Sequence, residues 1–338
     1  MNRAAAILAG AALAGCSRNP SILLDTAGPH ANEIQWLFWL FFWVCAAVWL
    51  CVIGLLGFAT WRGLRRWRDT PAPATAPAEE RRLVAWVSTG VGLTFAILTL
   101  FVGASYAVDR KLISLDSGPT MEIQITGHQW WWEIQYLGET PSAQFTTANE
   151  LHVPSGSTVK LKLRSSDVIH SFWIPNVAGK RDIIPGRENE ATIRVDRDGV
   201  WHGRCAEFCG YQHAFMGLTL IAETPDKFEK WKASQRLPAA APQSDEEKRG
   251  QEIFETGPCG ACHVIRGTSA DGHSNYAPEL THLKSRSSIG AGAAPNVKGY
   301  LGAWILDPHG IKPGVHMPPN LQNADDFQAL LAYLETLK

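Results

Sequence analysis

Between Cys205 and Met216 the chain places two thiols, an imidazole, a thioether and a carboxylate in one short run, Cys205-Ala206-Glu207-Phe208-Cys209-Gly210-Tyr211-Gln212-His213-Ala214-Phe215-Met216. Two cysteines with three residues between them can turn both sulfurs to one point, and sulfur with imidazole selects copper, zinc or iron over hard cations. With His213 and Met216 close behind, the set suits two copper ions bridged by the sulfurs. A second histidine is then required, and His170 is the candidate. A disulfide or a structural zinc site is the alternative. Structural zinc favours four Cys or His ligands in paired short spacings, and a disulfide leaves His213 and Met216 without a purpose. The set leaves no coordination position open for a substrate, so it is expected to relay electrons and not to catalyse.

A second constellation is Cys259-Gly260-Ala261-Cys262-His263. This C-x-x-C-H spacing predicts covalent attachment of a c-type haem, with both thiols bonded to the porphyrin and His263 directly beneath the iron. The sixth ligand is expected far downstream, at Met317 in the Pro-rich segment Ile311–Pro319, with His309 and His316 as rivals. His/Met ligation raises the haem potential and suits electron transfer.

Several elements must position these groups. The chain has 338 residues, which predicts two or three domains, and its net charge of −1 gives no basic footprint for nucleic acid. Residues 1–15 read as a signal peptide, and Leu13-Ala14-Gly15-Cys16 has the form of a bacterial lipoprotein cleavage site, making Cys16 the expected lipidated residue. Within residues 16–118, the stretches 34–61 and 83–108 carry no charged side chain, and each exceeds the ~20 apolar residues that span a bilayer. Between them stand Arg62, Arg65, Arg66, Arg68, Arg81 and Arg82 against Asp69, Glu79 and Glu80. The positive-inside rule puts this loop in the cytoplasm and the copper and haem regions outside. Cys45 and Cys51, inside the first span, read as small apolar residues.

From residue 119 to 232 the pattern turns β-rich. Met121–Thr126, Val159–Arg164 and Ala191–Asp196 alternate in polarity, and Pro154-Ser155-Gly156 and Pro185-Gly186 mark turns, which predicts a β-sandwich with its ligands on loops at one end. Residues 233–243 form an Ala/Pro-rich linker. Residues 244–338 are expected to be helical, with a capping box at Ser244–Glu247 and a last helix that begins near Asn323, with Phe327, Leu330, Leu331 and Leu334 making its apolar face.

The run His170 … Cys205-x-Glu207-x-Cys209-x-x-x-His213-x-x-Met216 resembles the copper A motif of subunit II of haem-copper cytochrome c oxidases. The resemblance continues through Gly127-His128-Gln129-Trp130-Trp131-Trp132-Glu133, Ser165–Phe172 and Ile184-Pro185-Gly186-Arg187, and residues 244–338 resemble a class I cytochrome c domain. It implies a multidomain membrane protein made of a two-helix transmembrane hairpin, a cupredoxin-like β-sandwich and an all-α cytochrome c domain, as in caa3-type oxidases.

By the same resemblance, Cys205 and Cys209 bridge the two coppers. His170 with Met216 completes one copper, and His213 with the carbonyl of Glu207 completes the other. The Glu207 carboxylate is implied as a magnesium ligand at the contact with subunit I, and Trp130 as the point of electron entry. Relatives commonly have Tyr where this chain has Trp131. They also carry Glu three residues before a Trp at the start of the second span; here Leu83 precedes Trp86, and Glu79 and Glu80 lie about one turn earlier. The implied function is transfer of electrons from a donor cytochrome through haem c and copper A to subunit I, where oxygen is reduced and protons are pumped, with subunit III as a further partner. The implied location is the bacterial inner membrane, crossed twice, with both cofactor regions on the periplasmic face. A copper A subunit of a nitric or nitrous oxide reductase is the alternative, and a copper-delivery protein is a more distant one.

Overall fold

The computed structural model describes residues 24–66, 77–115, 118, 121–272, 276–320 and 323–338. The leader 1–15, Cys16, Arg68 and Asp69 lie outside the described residues. The described chain divides into two compact units, one formed by residues 32–117 and the other by the remainder.

The first unit is a helical pair, α1 (Pro29–Arg66) and α2 (Pro77–Leu115). Each exceeds its predicted charge-free stretch at both ends. At 1.5 Å per residue, α1 is about 57 Å long, well beyond the ~30 Å hydrocarbon core of a bilayer. Mean hydropathy reaches 2.4 in α1 and 2.0 in α2 over their most apolar windows, so both are long and apolar enough to cross a membrane. Trp43, Leu55, Val91 and Phe95 are exposed on them. A helix that is apolar all round needs an apolar medium, and lipid provides one. Phe41 and Phe101 pack ring to ring at 4.1 Å, and Glu33 pairs with Lys111 at 2.5 Å, fixing the two helices side by side.

The second unit begins with two sheets. A five-stranded sheet has the order β3-β2-β1-β5-β8, from β1 (Met121–His128), β2 (Trp131–Tyr136), β3 (Phe145–Ala148), β5 (Thr158–Ser165) and β8 (Asn189–Arg194). A three-stranded sheet has the order β4-β10-β9, from β4 (Glu150–Pro154), β9 (Gly199–Arg204) and β10 (Gly217–Glu223). β1 runs parallel to β5 and β4 parallel to β10; the other pairs are antiparallel. The alternation seen in the sequence becomes two inward faces. Ile123, Ile125, Trp132, Ile134, Leu161 and Leu163 from one sheet join Leu151, Val153, Leu218 and Leu220 from the other in a single core. Each such side chain contributes about 1.5–3 kcal/mol on burial. A short ribbon of β6 (His170–Phe172) and β7 (Arg181–Ile183) closes one end.

Helix α3 (Pro225–Gln235) lays Phe228 and Trp231 on the sandwich, and the His152 ring stacks on Trp231 with centroids 3.9 Å apart. Burial lowers the His152 pKa to about 3. Below pH ~6.5 the unfolded chain takes up a proton that the folded chain refuses until about pH 3, so this site loses stability as pH falls through that window. His152→Phe retains a ring against Trp231 without the titration. Its melting temperature is expected to fall less than that of the parent between about pH 7 and about pH 4.5. Equal falls would remove His152 from the acid response.

Helix α3 continues three residues into the expected linker, and Arg266 donates to its last carbonyl, Gln235 O, at 2.6 Å. The rest of the linker is tied down: Ala239 N donates to Arg266 O at 3.0 Å, and His282 Nε2 lies 3.1 Å from Leu237 O. The Ala/Pro composition signals absence of helix or strand here; it does not specify these contacts.

The C-terminal region joins helices by long loops, one of which carries a two-residue strand pair, Ser288–Ile289 with Ala294–Pro295. Helix α4 (Asp245–Thr256) starts on a complete capping box between Ser244 and Glu247, as its sequence predicts. Helix α5 spans Lys298–Leu306, and α6 (Pro308–Ile311) is a single turn. Helix α7 (Ala324–Leu334) starts with the Asn323 side chain accepting from Asp326 N at 2.9 Å. α4 crosses α7 closely at Gly250, where a Cβ would fall 2.0 Å from Ala329 O, so any larger residue would separate the helices. Leu330, Leu331 and Leu334 are buried with Phe254 in this second core.

Candidate functional site

Strand pairing holds both ends of the Cys205–Met216 segment. Cys205 follows β9 directly, Met216 immediately precedes β10, and Cys205 N donates to Met216 O at 3.0 Å to close the loop. Cys205, Cys209 and Met216 are buried as part of the sandwich core. Inside the loop, Gly210 adopts φ +109, a left-handed conformation that side-chain-bearing residues rarely hold. Gln129 Nε2 and the Trp130 indole N–H donate to Cys209 O at 2.8 and 3.0 Å, tying the loop to the turn between β1 and β2. Trp130 therefore stands in that turn, and only Trp131 and Trp132 lie in β2.

The donor atoms converge. Cys205 Sγ lies 3.7 Å from Cys209 Sγ, 3.9 Å from His170 Nδ1 and 3.2 Å from the Glu207 carbonyl oxygen. Cys209 Sγ lies 3.6 Å from His213 Nδ1 and 3.9 Å from Met216 Sδ. The sulfurs are not bonded, since a disulfide requires about 2.05 Å. Donors of His170, Cys205 and Cys209 lie within 4.8 Å of one another, a group that His213 does not join. A single tetrahedral ion with bonds of about 2.0–2.3 Å needs all four donors within about 4 Å. The arrangement fits two ion positions sharing the two sulfurs, with one imidazole for each.

His170 is oriented from behind. Its Nε2 lies 2.8 Å from Asp167 Oδ1, and Asp167 also accepts from Gln129 N at 2.7 Å and Val168 N at 2.6 Å. With Nε2–H donated to the carboxylate, Nδ1 carries the free lone pair toward Cys205. This is how carboxylate partners fix the tautomer of a metal-binding imidazole. Burial disfavours the charged ring, but Asp167 and Cys205 outweigh it and the His170 pKa rises; the same hydrogen bonds lower that of Asp167 against its own desolvation. Only its place three residues before His170 marks Asp167 in the sequence. Gly127 carries no such mark: a Cβ there would fall 2.8 Å from His170 Cδ2, so the glycine leaves room for the imidazole.

The two thiols crowd one another at 3.7 Å. Hydrogen bonding with Cys209 and with His170 outweighs burial and lowers the Cys205 pKa, whereas hydrogen bonding with Cys205, burial and the charge that would form beside Cys205 push that of Cys209 up. Two soft cations would remove that conflict. The Glu207 side chain is half-exposed, with Lys180 Nζ 3.6 Å from its carboxylate.

In the C-terminal region, His263 N and Cys262 N both donate to Cys259 O, at 2.9 and 3.1 Å, curling the attachment segment into a turn. His263 Nδ1 lies 2.7 Å from Pro278 O, which leaves Nε2 free for iron. Asn320 Nδ2 reaches Cys259 Sγ at 3.6 Å, bringing the end of the Met317 loop to the attachment site. The rival ligands have other partners. His309 Nδ1 accepts from Gly314 N at 3.2 Å, and the His316 ring lies 5.3 Å from that of Trp130.

A family model described as cytochrome c oxidase subunit II, periplasmic domain, matches residues 137–223, and one described as cytochrome c matches residues 247–338. The cytochrome c oxidase subunit 2 of Alkalihalophilus pseudofirmus is 31% identical over 336 residues, covering 96% of this chain and 94% of the relative. That of Bacillus subtilis is 30% identical over 251 residues, covering 72% and 68%. The crystal structure of the periplasmic domain of subunit II of cytochrome oxidase of Bradyrhizobium japonicum covers 36% of this chain and 96% of that one, at 28% identity and a TM-score of 0.34.

Proposed function

Because this chain belongs to the cytochrome c oxidase subunit II family and carries a cytochrome c domain, we propose that it is the electron-entry subunit of a caa3-type oxidase. It takes electrons on its own haem c and passes them through a dinuclear copper A centre to haem in subunit I, for oxygen reduction coupled to proton pumping. The observation that carries this reading is the gathering of His170, His213, Met216 and the Glu207 carbonyl around the two buried sulfurs of Cys205 and Cys209. Two coppers bridged by two thiolates would share one electron across the pair, so that little rearrangement accompanies each transfer.

The protein's part is to hold that set still. β9 and β10 fix Cys205 and Met216, Asp167 fixes the His170 ring, and Gln129 and Trp130 fix Cys209. Cys259 and Cys262 would hold the haem covalently, His263 would bind its iron on one side and Met317 on the other. Glu207 would offer its carboxylate to magnesium at the contact with subunit I. The two apolar helices would place the chain as a two-pass protein of the bacterial inner membrane, with a lipid anchor at Cys16 and both cofactor regions in the periplasm. Subunits I and III would be its membrane partners, with a donor cytochrome or upstream complex on the outside.

The purified full-length chain is expected to hold one haem c and two copper ions, with an electron-spin signal split by both copper nuclei. One copper per chain defeats the dinuclear reading. Oxygen uptake by the assembled complex, compared with turnover of nitric oxide, assigns the terminal acceptor.

A further inference from the structure

The haem-bearing region is seated on the copper-bearing region, and its seat is Trp130. Lys312, from the loop that ends in Met317, is 2% exposed; its Nζ donates to Trp130 O at 2.9 Å and to Gly290 O at 2.8 Å. In the same loop, Pro313 O accepts from the Gln212 side chain. The His316 ring covers Trp130, which is 8% exposed. Trp130 in turn donates to the carbonyl of Cys209, one of the two bridging cysteines. Ala291, held at φ +60, gives its carbonyl to Gly217 N at 3.0 Å, so the Gly290 loop is shaped against the same face.

A lysine is rarely buried without a reason, because desolvating an ammonium is costly unless hydrogen bonds compensate. Here burial lowers its pKa to about 7, and the compensation comes from one carbonyl on each side of the contact. A solvent-facing lysine on this loop would avoid that cost, and the haem region has its own core without it. The burial therefore serves the contact and not the folding of the haem region.

We infer that Lys312, aided by Gln212, is the positioning clamp that holds the Pro313–Met317 loop on Trp130, so that the copper pair is reduced by this chain's own haem through a covered tryptophan and not by a donor docked on it. The inference rests on the proposed copper and haem reading. One electron crosses in each event, with ferrous haem oxidised to ferric and the copper pair reduced by one; no proton or bond is exchanged. An external donor must then dock on the haem region.

Lys312→Met keeps the length of the side chain and removes its donor. In the full-length chain within the assembled complex, two quantities are read: amide exchange in residues 129–131, 289–292 and 312–317, and the rate of internal haem-to-copper transfer after photoreduction of the haem. The haem potential and copper electron-spin signal are measured alongside. Exchange is expected to rise in all three segments and the rate to fall severalfold, since electron transfer weakens steeply as the separation between donor and acceptor grows. Potential and copper signal are expected to stay unchanged. Unchanged exchange overturns the inference, and so does faster exchange with an unchanged rate, which would make Lys312 merely structural. If Lys312→Met does not retain haem, Gln212→Ala removes the neighbouring tie and is read by the same measurements and outcomes. A parent chain lacking haem or copper would defeat the functional reading instead, while amide exchange still tests the clamp.

Discussion

Cys209→Ser is expected to abolish the delocalised copper signal and reduce the copper content of the chain from two ions to one or none. Cys209 Sγ stands at the middle of the donor set, 3.7 Å from Cys205 Sγ, 3.6 Å from His213 Nδ1 and 3.9 Å from Met216 Sδ. Removing it takes one bridge from both ion positions at once. Serine oxygen is hard and keeps its proton, so it does not replace a thiolate toward copper. The backbone around the site should persist, because Gln129 and Trp130 bind the carbonyl of residue 209 and not its side chain. The haem absorption should persist as well, since its attachment segment belongs to a separate core. Metal analysis and electron-spin spectra of the full-length variant check this. Two coppers and a delocalised signal in Cys209→Ser would show that the sulfur of Cys209 is not a bridge.

The residues that gather around the two sulfurs could be nominated from the sequence because metal chemistry constrains residue type and spacing more tightly than it constrains fold. Cys205, Cys209, His213 and Met216 sit in one loop, so local spacing places them together; His170 could be nominated only because the set needed a second imidazole. Strands β1, β5 and β8 followed from alternation, and helices α4 and α7 from their caps at Ser244 and Asn323. The supporting residues were less legible. Asp167 acts on His170 through a local hydrogen bond of 2.8 Å, and Gly127 through the space that its missing side chain leaves for the ring. Neither leaves a periodic trace. Lys312 was unreadable for a stronger reason. Its sequence surroundings, with prolines and glycine, describe an exposed loop, and its burial follows from a contact with a strand turn 182 residues away. Trp130 likewise has the composition of an entry surface, and only the folded chain shows that it is covered from within.

Met317→Ala tests the other cofactor and separates it from the first. His263 Nδ1 is engaged by Pro278 O, which orients Nε2 toward the iron, so one axial position is built into the fold. The opposite position depends on the loop that runs from Lys312 to Asn320, whose last residue reaches Cys259 Sγ. On the proposed reading, loss of the thioether would leave the haem covalently attached through Cys259 and Cys262 but would remove a ligand that raises its potential. Axial ligands set haem potentials over a range of about 0.8 V, so the expected fall is a readily measured fraction of that range. Reduction by the native donor should slow, while the copper signal stays as in the parent because none of its donors comes from this loop. His263→Ala should block electron entry more completely with the same copper signal. The rivals supply the decisive comparison. His309 is occupied by Gly314 N and His316 by the Trp130 ring, so His309→Ala and His316→Ala should leave the haem spectrum in place. A spectrum that shifts in His316→Ala but not in Met317→Ala would move the sixth ligand by one residue. Loss of the copper signal in Met317→Ala would mean that the two centres are not separable modules. In that case the contact at Trp130 supports the copper site itself, in addition to the path that leads to it.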